Sequence, residues 1–155
     1  MKTKNKLPMK KTGFIKSLIA SAIAFILCIL QSYTGMYKYV GKMSSNCMEC
    51  FYIEELAPFS FMQFILLFPV CYFVFSGTKI ISRIALILLA IGYMAICVLT
   101  NYEMFVFRVA SWSTFTTSEV LFYVFIETFW AILLSAIVLV WLVMKLNKYS
   151  KINSQ

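Results

Sequence analysis

Cys47-Met48-Glu49-Cys50 is the stretch of this chain whose residue types and spacing best suit a reaction. Two cysteines so placed can close a disulfide that exchanges with other thiols, can staple a loop outside a reducing compartment, or can stand as two plain thiols. Cys28, Cys71 and Cys97 fall inside apolar runs and read as small hydrophobes. Glu127 is the second residue with chemical potential, since it lies within an apolar run where a carboxylate is costly. The chain has no His and no Asp, and all six acids are Glu. That removes Ser/His/Asp and Cys/His nucleophiles, His-ligated haem and most zinc sites, so no metal, no cofactor and no catalytic residue is expected.

These residues sit on a strongly apolar frame. Of 155 residues 62% are hydrophobic and 13% charged, with mean hydropathy +0.86. A soluble domain of this size needs far more polar surface, so the composition belongs to the membrane class. Four apolar runs are legible, at about 17–37, 57–76, 84–100 and 119–144. They predict an all-α membrane protein, a four-helix transmembrane bundle, with a basic segment 1–16 before it and a basic tail 145–155 after it. A run of some 20 residues gives roughly 30 Å of helix, the thickness of a hydrocarbon core. The first run follows a lysine-rich start as a signal peptide would, but no small-x-small cleavage site follows it, and it is read as a retained span.

Within this frame, Pro58 suits a helix's first turn, whereas Pro69, deep in its run, predicts a kink. The short connection bearing Lys79 and Arg83 predicts a tight antiparallel hairpin of runs two and three. Thr116 and Glu119 have the spacing of a capping box that opens the fourth helix.

Charge orients the bundle. The N-terminal segment, the second connection and the tail hold six, two and three basic residues and no acid. The first and third connections hold Lys38, Lys42 and Arg108 beside Glu49, Glu54, Glu55 and Glu103. The positive-inside rule then predicts both termini in the cytoplasm and two outward loops, in a bacterial inner membrane. Tyr33, Tyr37, Tyr39, Phe51, Tyr52, Tyr102 and Trp112 gather near the outward interface as an aromatic belt does. The net charge of +8 is thereby topology, with the lipid bilayer as partner and no nucleic acid.

Glu127 lies roughly 12 Å into the fourth run. It is expected to be a proton or ion site or a polar contact with a partner. The alternative is a carboxyl that is protonated against a neighbouring helix or snorkels outward. Ala131 and Ser135 follow it at helical spacing, which turns that face towards protein. Ser17 with Ser21 and Ala20 with Ala24 repeat the small-residue spacing that lets helices approach closely. The segment 102–112 is expected either as an amphipathic piece along the interface or as a plain loop.

Short strings add a resemblance. Tyr52-Ile53-Glu54-Glu55-Leu56-Ala57-Pro58 enters the second span, Asn101-Tyr102-Glu103-Met104 follows the third, Leu121-Phe122-Tyr123 opens the fourth, and Leu27-Cys28-Ile29-Leu30 lies in the first. With the four-span, both-ends-in layout, these resemble immunity proteins against pore-forming colicins of the A, B and N type. The Tyr to Ala-Pro spacing is one residue longer than that family's, the Thr usual before Ala-Pro is missing, and the cysteine pair is additional. The resemblance implies binding without chemistry: the chain would meet the colicin's inserted pore domain within the bilayer by helix-to-helix packing. It implies Glu54, Glu55, Glu103 and Arg108 as contacts at the outer rim and Glu127 as a buried polar contact.

Cys47 and Cys50 also resemble in position the first redox pair of four-span quinone-linked thiol oxidases. Those enzymes need a second pair in the other outward loop, where residues 101–118 have none, and an Arg where this chain has Glu54-Glu55. A thiol-disulfide role through Cys47 and Cys50, or an accessory or transport subunit centred on Glu127, are the competing expectations.

Overall fold

The computed structural model describes the backbone of residues 8–152 and the side chains of residues 12–148. The basic stretch 1–7 and the last residues 153–155 lie outside them, as do the side chains of Lys10, Lys11 and Lys151. Four helices form: α1 (Pro8–Gly35), α2 (Tyr52–Ser76), α3 (Lys79–Arg108) and α4 (Thr117–Ile152). No strand occurs among the described residues. Short 3-10 turns, Tyr37–Tyr39 and Ala110–Trp112, stand at one end of the bundle. That end, which carries the connections 36–51 and 109–116, is the loop end; the other carries the start of α1, the end of α4 and the Gly77-Thr78 hairpin.

Each helix outruns its apolar run. A hydropathy window stops at charge, whereas a helix continues until its backbone bonds fail. Thus α2 starts at Tyr52, with Glu54 and Glu55 in its first turn, where carboxylates favour the N-terminal N–H groups. The Glu54 carboxylate accepts from the Phe51 N–H at 2.9 Å. α2 then runs unbroken through Pro58 and Pro69. α3 runs on to Arg108, so residues 102–108 are neither a loop nor a separate interfacial piece but the last turns of α3. At the start of α4, the Thr116 N–H and hydroxyl both donate to Glu119 Oε2 at 2.8 Å, and the Glu119 N–H donates back to Thr116 Oγ1. Thr116→Ala is expected to lower stability by about 1 kcal/mol, read as a shift in the unfolding midpoint.

The helices pack in a ring: α1 lies against α2 and α4, and α3 completes it between α2 and α4. The α2–α3 hairpin is stitched where Ser82 Oγ donates to the Val74 carbonyl at 2.7 Å. α1 turns its small face inward; Ser17, Ala20, Ser21 and Ala24 are fully buried, so the small-residue spacing serves packing within the chain. Gly35 touches α4 so closely that a Cβ there would come within 3.0 Å of the Thr128 side chain.

The core has three layers. Ala24, Cys28, Leu67, Leu89, Tyr93, Cys97 and Leu139 belong to an apolar cluster towards the chain ends. Met36, Tyr52, Leu56, Met104, Phe105 and Val124 form a second one at the loop end. Between them, every helix contributes buried polar residues: Gln31 and Ser32, Ser60 and Gln63, Thr100 and Asn101, and Thr128. Gln31 and Asn101 exchange amide hydrogen bonds at 3.0 and 3.4 Å, joining α1 to α3 across the bundle. Ser60 Oγ and Gln63 Nε2 donate to the sulfurs of Cys28 and Cys97 at 3.7 and 3.8 Å. These cysteines are indeed core hydrophobes, at 0% exposure, yet they also accept hydrogen bonds.

The bundle's outside is apolar. All four helices are long and apolar enough to cross a membrane, and no more than a third of each helix's most apolar stretch is buried within the chain. Such inside-out burial is what a helix bundle presents when lipid replaces water.

Candidate functional site

The loop end carries every residue proposed from sequence as a site, and Arg108 organises it. Its guanidinium has five N–H groups, and all are used. Nε and Nη2 donate to Glu55 Oε2 at 3.1 and 2.8 Å. Nη1 donates to the carbonyls of Val40, at 2.9 Å, and Lys42, and Nη2 to that of Cys50 at 3.2 Å. The other Glu55 oxygen accepts from Ser44 Oγ, whose oxygen in turn accepts the Asn46 N–H at 3.2 Å. The Arg108 guanidinium also stands 5.1 Å over the ring of Tyr52, whose hydroxyl bonds Ser32 Oγ at 2.8 Å. One side chain at the end of α3 therefore holds α2 and three points of the 36–51 connection. A further bond, from the Ser45 N–H to the Phe107 carbonyl at 2.8 Å, lays that connection along α3.

This clasp corrects two expectations. Glu55 and Arg108, expected as outward contacts, have side chains only 3% and 2% exposed and are spent on each other. The physical reason is that α2 and α3 both extend past their apolar runs, which brings the two charges level inside the bundle. There a buried charge must be paired. Glu54 remains exposed but is occupied at the start of α2, and Glu103 is half-buried on α3.

Glu127, expected as a buried polar contact, is only partly buried. Its carboxylate accepts from Lys38 Nζ at 3.0 and 3.2 Å, with side-chain exposures of 22% and 50% for the acid and the lysine. The first connection folds over far enough for Lys38 to reach α4. The hydrogen bond to Glu127, followed by its charge, raises the Lys38 ammonium above the ordinary lysine range, so the lysine stays charged at neutral pH. Burial first, and then the same carboxylate, raises the neighbouring Tyr39 phenol.

Cys47 and Cys50 are joined by a disulfide. The Cys50 N–H donates to the Cys47 carbonyl at 3.3 Å, closing a four-residue turn that carries exposed Met48 and Glu49 at its tip. Beside it opens a cavity of about 460 Å³, lined among others by Tyr33, Met43, Met48, Cys50, Phe51 and Tyr52. A second cavity, of about 320 Å³, lies on the flank between α3 and α4 and is wholly apolar, with Met94, Ala95, Val98, Phe125, Phe129 and Leu133 in its walls. Among the described residues, no three of Cys, Asp, Glu or His come together as metal ligands.

No family model, no curated protein and no solved structure matches the chain. Sequence reasoning missed the clasp's recipients, Ser44 and the carbonyls of Val40, Lys42 and Cys50, and a lysine as the partner of Glu127. The one signal available was that Arg108 stands alone among the apolar residues that follow Glu103.

Proposed function

We propose that the chain is a multi-pass protein of a bacterial inner membrane, with both termini cytoplasmic and the loop end outward. In this proposal it acts by binding, as an immunity protein against a pore-forming colicin of the A, B or N type. The four-span layout and the short strings around Tyr52, Asn101 and Leu121 support the family. The asymmetric basic residues support the orientation.

The observation that carries the mode of action is how the polar groups are used. Glu55 and Arg108 are consumed inside the clasp, and Lys38 neutralises Glu127. What the helices offer a partner in the bilayer is apolar relief, and the groove between α3 and α4 is part of it. In lipid, helices recognise one another by packing into such relief around small residues, here Ala95. A pore-domain helix seated there would be held before the channel opens.

The test is expression in an enterobacterial strain sensitive to these colicins, followed by challenge with a panel of them. Survival against at least one member is expected. Ala95→Trp, which fills the groove, should abolish protection while the amount of membrane-inserted protein stays the same. Survival of no challenge, or full protection by the filled groove, would overturn the proposal.

A further inference from the structure

We infer that the Cys47–Cys50 disulfide is an exchangeable redox couple that oxidises an exposed dithiol of another protein, rather than a staple for the loop. This goes beyond the immunity function and does not depend on it.

A staple is justified by what it holds. Here the closed loop is four residues long, the kind whose closure constrains the unfolded chain least. The segment it would hold is already fastened. Arg108 grips the carbonyls of Val40, Lys42 and Cys50, Ser44 is bonded to Glu55, and the Ser45 N–H to Phe107. Opening the disulfide therefore releases no other contact of the connection.

Access points the same way. Both cysteines are partly exposed, and Met48 between them is 66% exposed. The 460 Å³ cavity bordered by Cys50, Met48 and Phe51 gives an incoming polypeptide somewhere to lie, with Lys42 and Glu49 as well as apolar side chains in its walls. Cys50 is anchored to the body through its carbonyl, next to a guanidinium, while Cys47 begins the turn.

The exchange follows from that asymmetry. A partner thiolate attacks Cys47 Sγ, and the Cys47–Cys50 bond breaks with its electron pair leaving on Cys50 Sγ. That thiolate takes a proton from water. The partner's second thiol, deprotonated, attacks the partner sulfur of the mixed disulfide and expels Cys47, which is protonated in turn. Two electrons and two protons have passed from the partner's dithiol to Cys47 and Cys50, and the partner carries the new disulfide.

The full chain, in detergent or nanodiscs, is equilibrated with reduced and oxidised glutathione, and free thiols are counted by alkylation. Cys47 and Cys50 should pass from mostly oxidised to mostly reduced over about a hundredfold change in the glutathione ratio. Tryptic cleavage after Lys42 should be equally slow in both forms. In Cys50→Ala, glutathione should remain on Cys47 as a lasting mixed disulfide. Three results overturn the inference: a disulfide that glutathione leaves intact, a Cys50→Ala chain that carries no glutathione, or a reduced chain cut faster at Lys42, the mark of a staple.

Discussion

Arg108→Leu is expected to cost about 3–5 kcal/mol of stability and to free the 36–51 connection from the bundle. The change removes the guanidinium and leaves Glu55 buried without its cation, with Oε2 losing two donors. The carbonyls of Val40, Lys42 and Cys50 lose their donor in the same step. An uncompensated buried charge accounts for most of the cost, and each orphaned carbonyl adds to it. Two measurements check this: the unfolding midpoint in mild detergent, and the rate of tryptic cleavage after Lys42, which should rise steeply. Arg108→Lys keeps the charge but has three donors on a single nitrogen, so it should recover part of the stability and little of the resistance to cleavage. Glu55→Gln should cost less than Arg108→Leu, because Arg108 keeps its three carbonyl partners. An Arg108→Leu chain with wild-type midpoint and wild-type cleavage would mean that the clasp does not hold the connection.

Gln63→Met should change stability in the opposite direction. Gln63 is fully buried in the polar layer; its amide nitrogen reaches the Cys97 sulfur at 3.8 Å, and its Oε1 has no partner. An unpaired buried acceptor costs about 1–3 kcal/mol, while an N–H to sulfur contact repays little of it. Methionine has nearly the same length and flexibility and carries no polar group to strand, so the variant is expected to gain on the order of 1 kcal/mol or more. The equilibrium midpoint in denaturant decides it. A loss of similar size would show that the oxygen is satisfied by a buried water that methionine displaces. Gln31 and Asn101 are the contrast in the same layer. Their amides satisfy each other, so replacing either alone strands its partner.

Much of the fold was legible because its causes are local. Apolar runs long enough to span lipid announce helices, and the four runs mark the four helices of the structure. The capping pair Thr116 and Glu119 and the small residues of α1 follow from spacings of three and four, which a helix turns into contacts. The ends were less legible. Glu54 and Glu55 look like loop when hydropathy is the guide, yet an acidic first turn is good helix chemistry. The stretch around Glu103 and Arg108 was missed for the same reason.

Residue types, spans and the one-sided distribution of basic residues are determined by the sequence itself, since each depends on neighbours within a turn or on a simple count. Which charge meets which was decided by the tertiary structure alone. Arg108 lies 53 positions from Glu55, Lys38 lies 89 from Glu127, and Gln31 lies 70 from Asn101. No periodicity connects such positions. They meet because packing α1 to α4 in a ring sets the heights of the helices, and a charge or amide that lands inside the ring must find a partner at its own level. Cys47 and Cys50 stand between these cases. Their spacing allowed a disulfide, and the fold closes it beside the clasp.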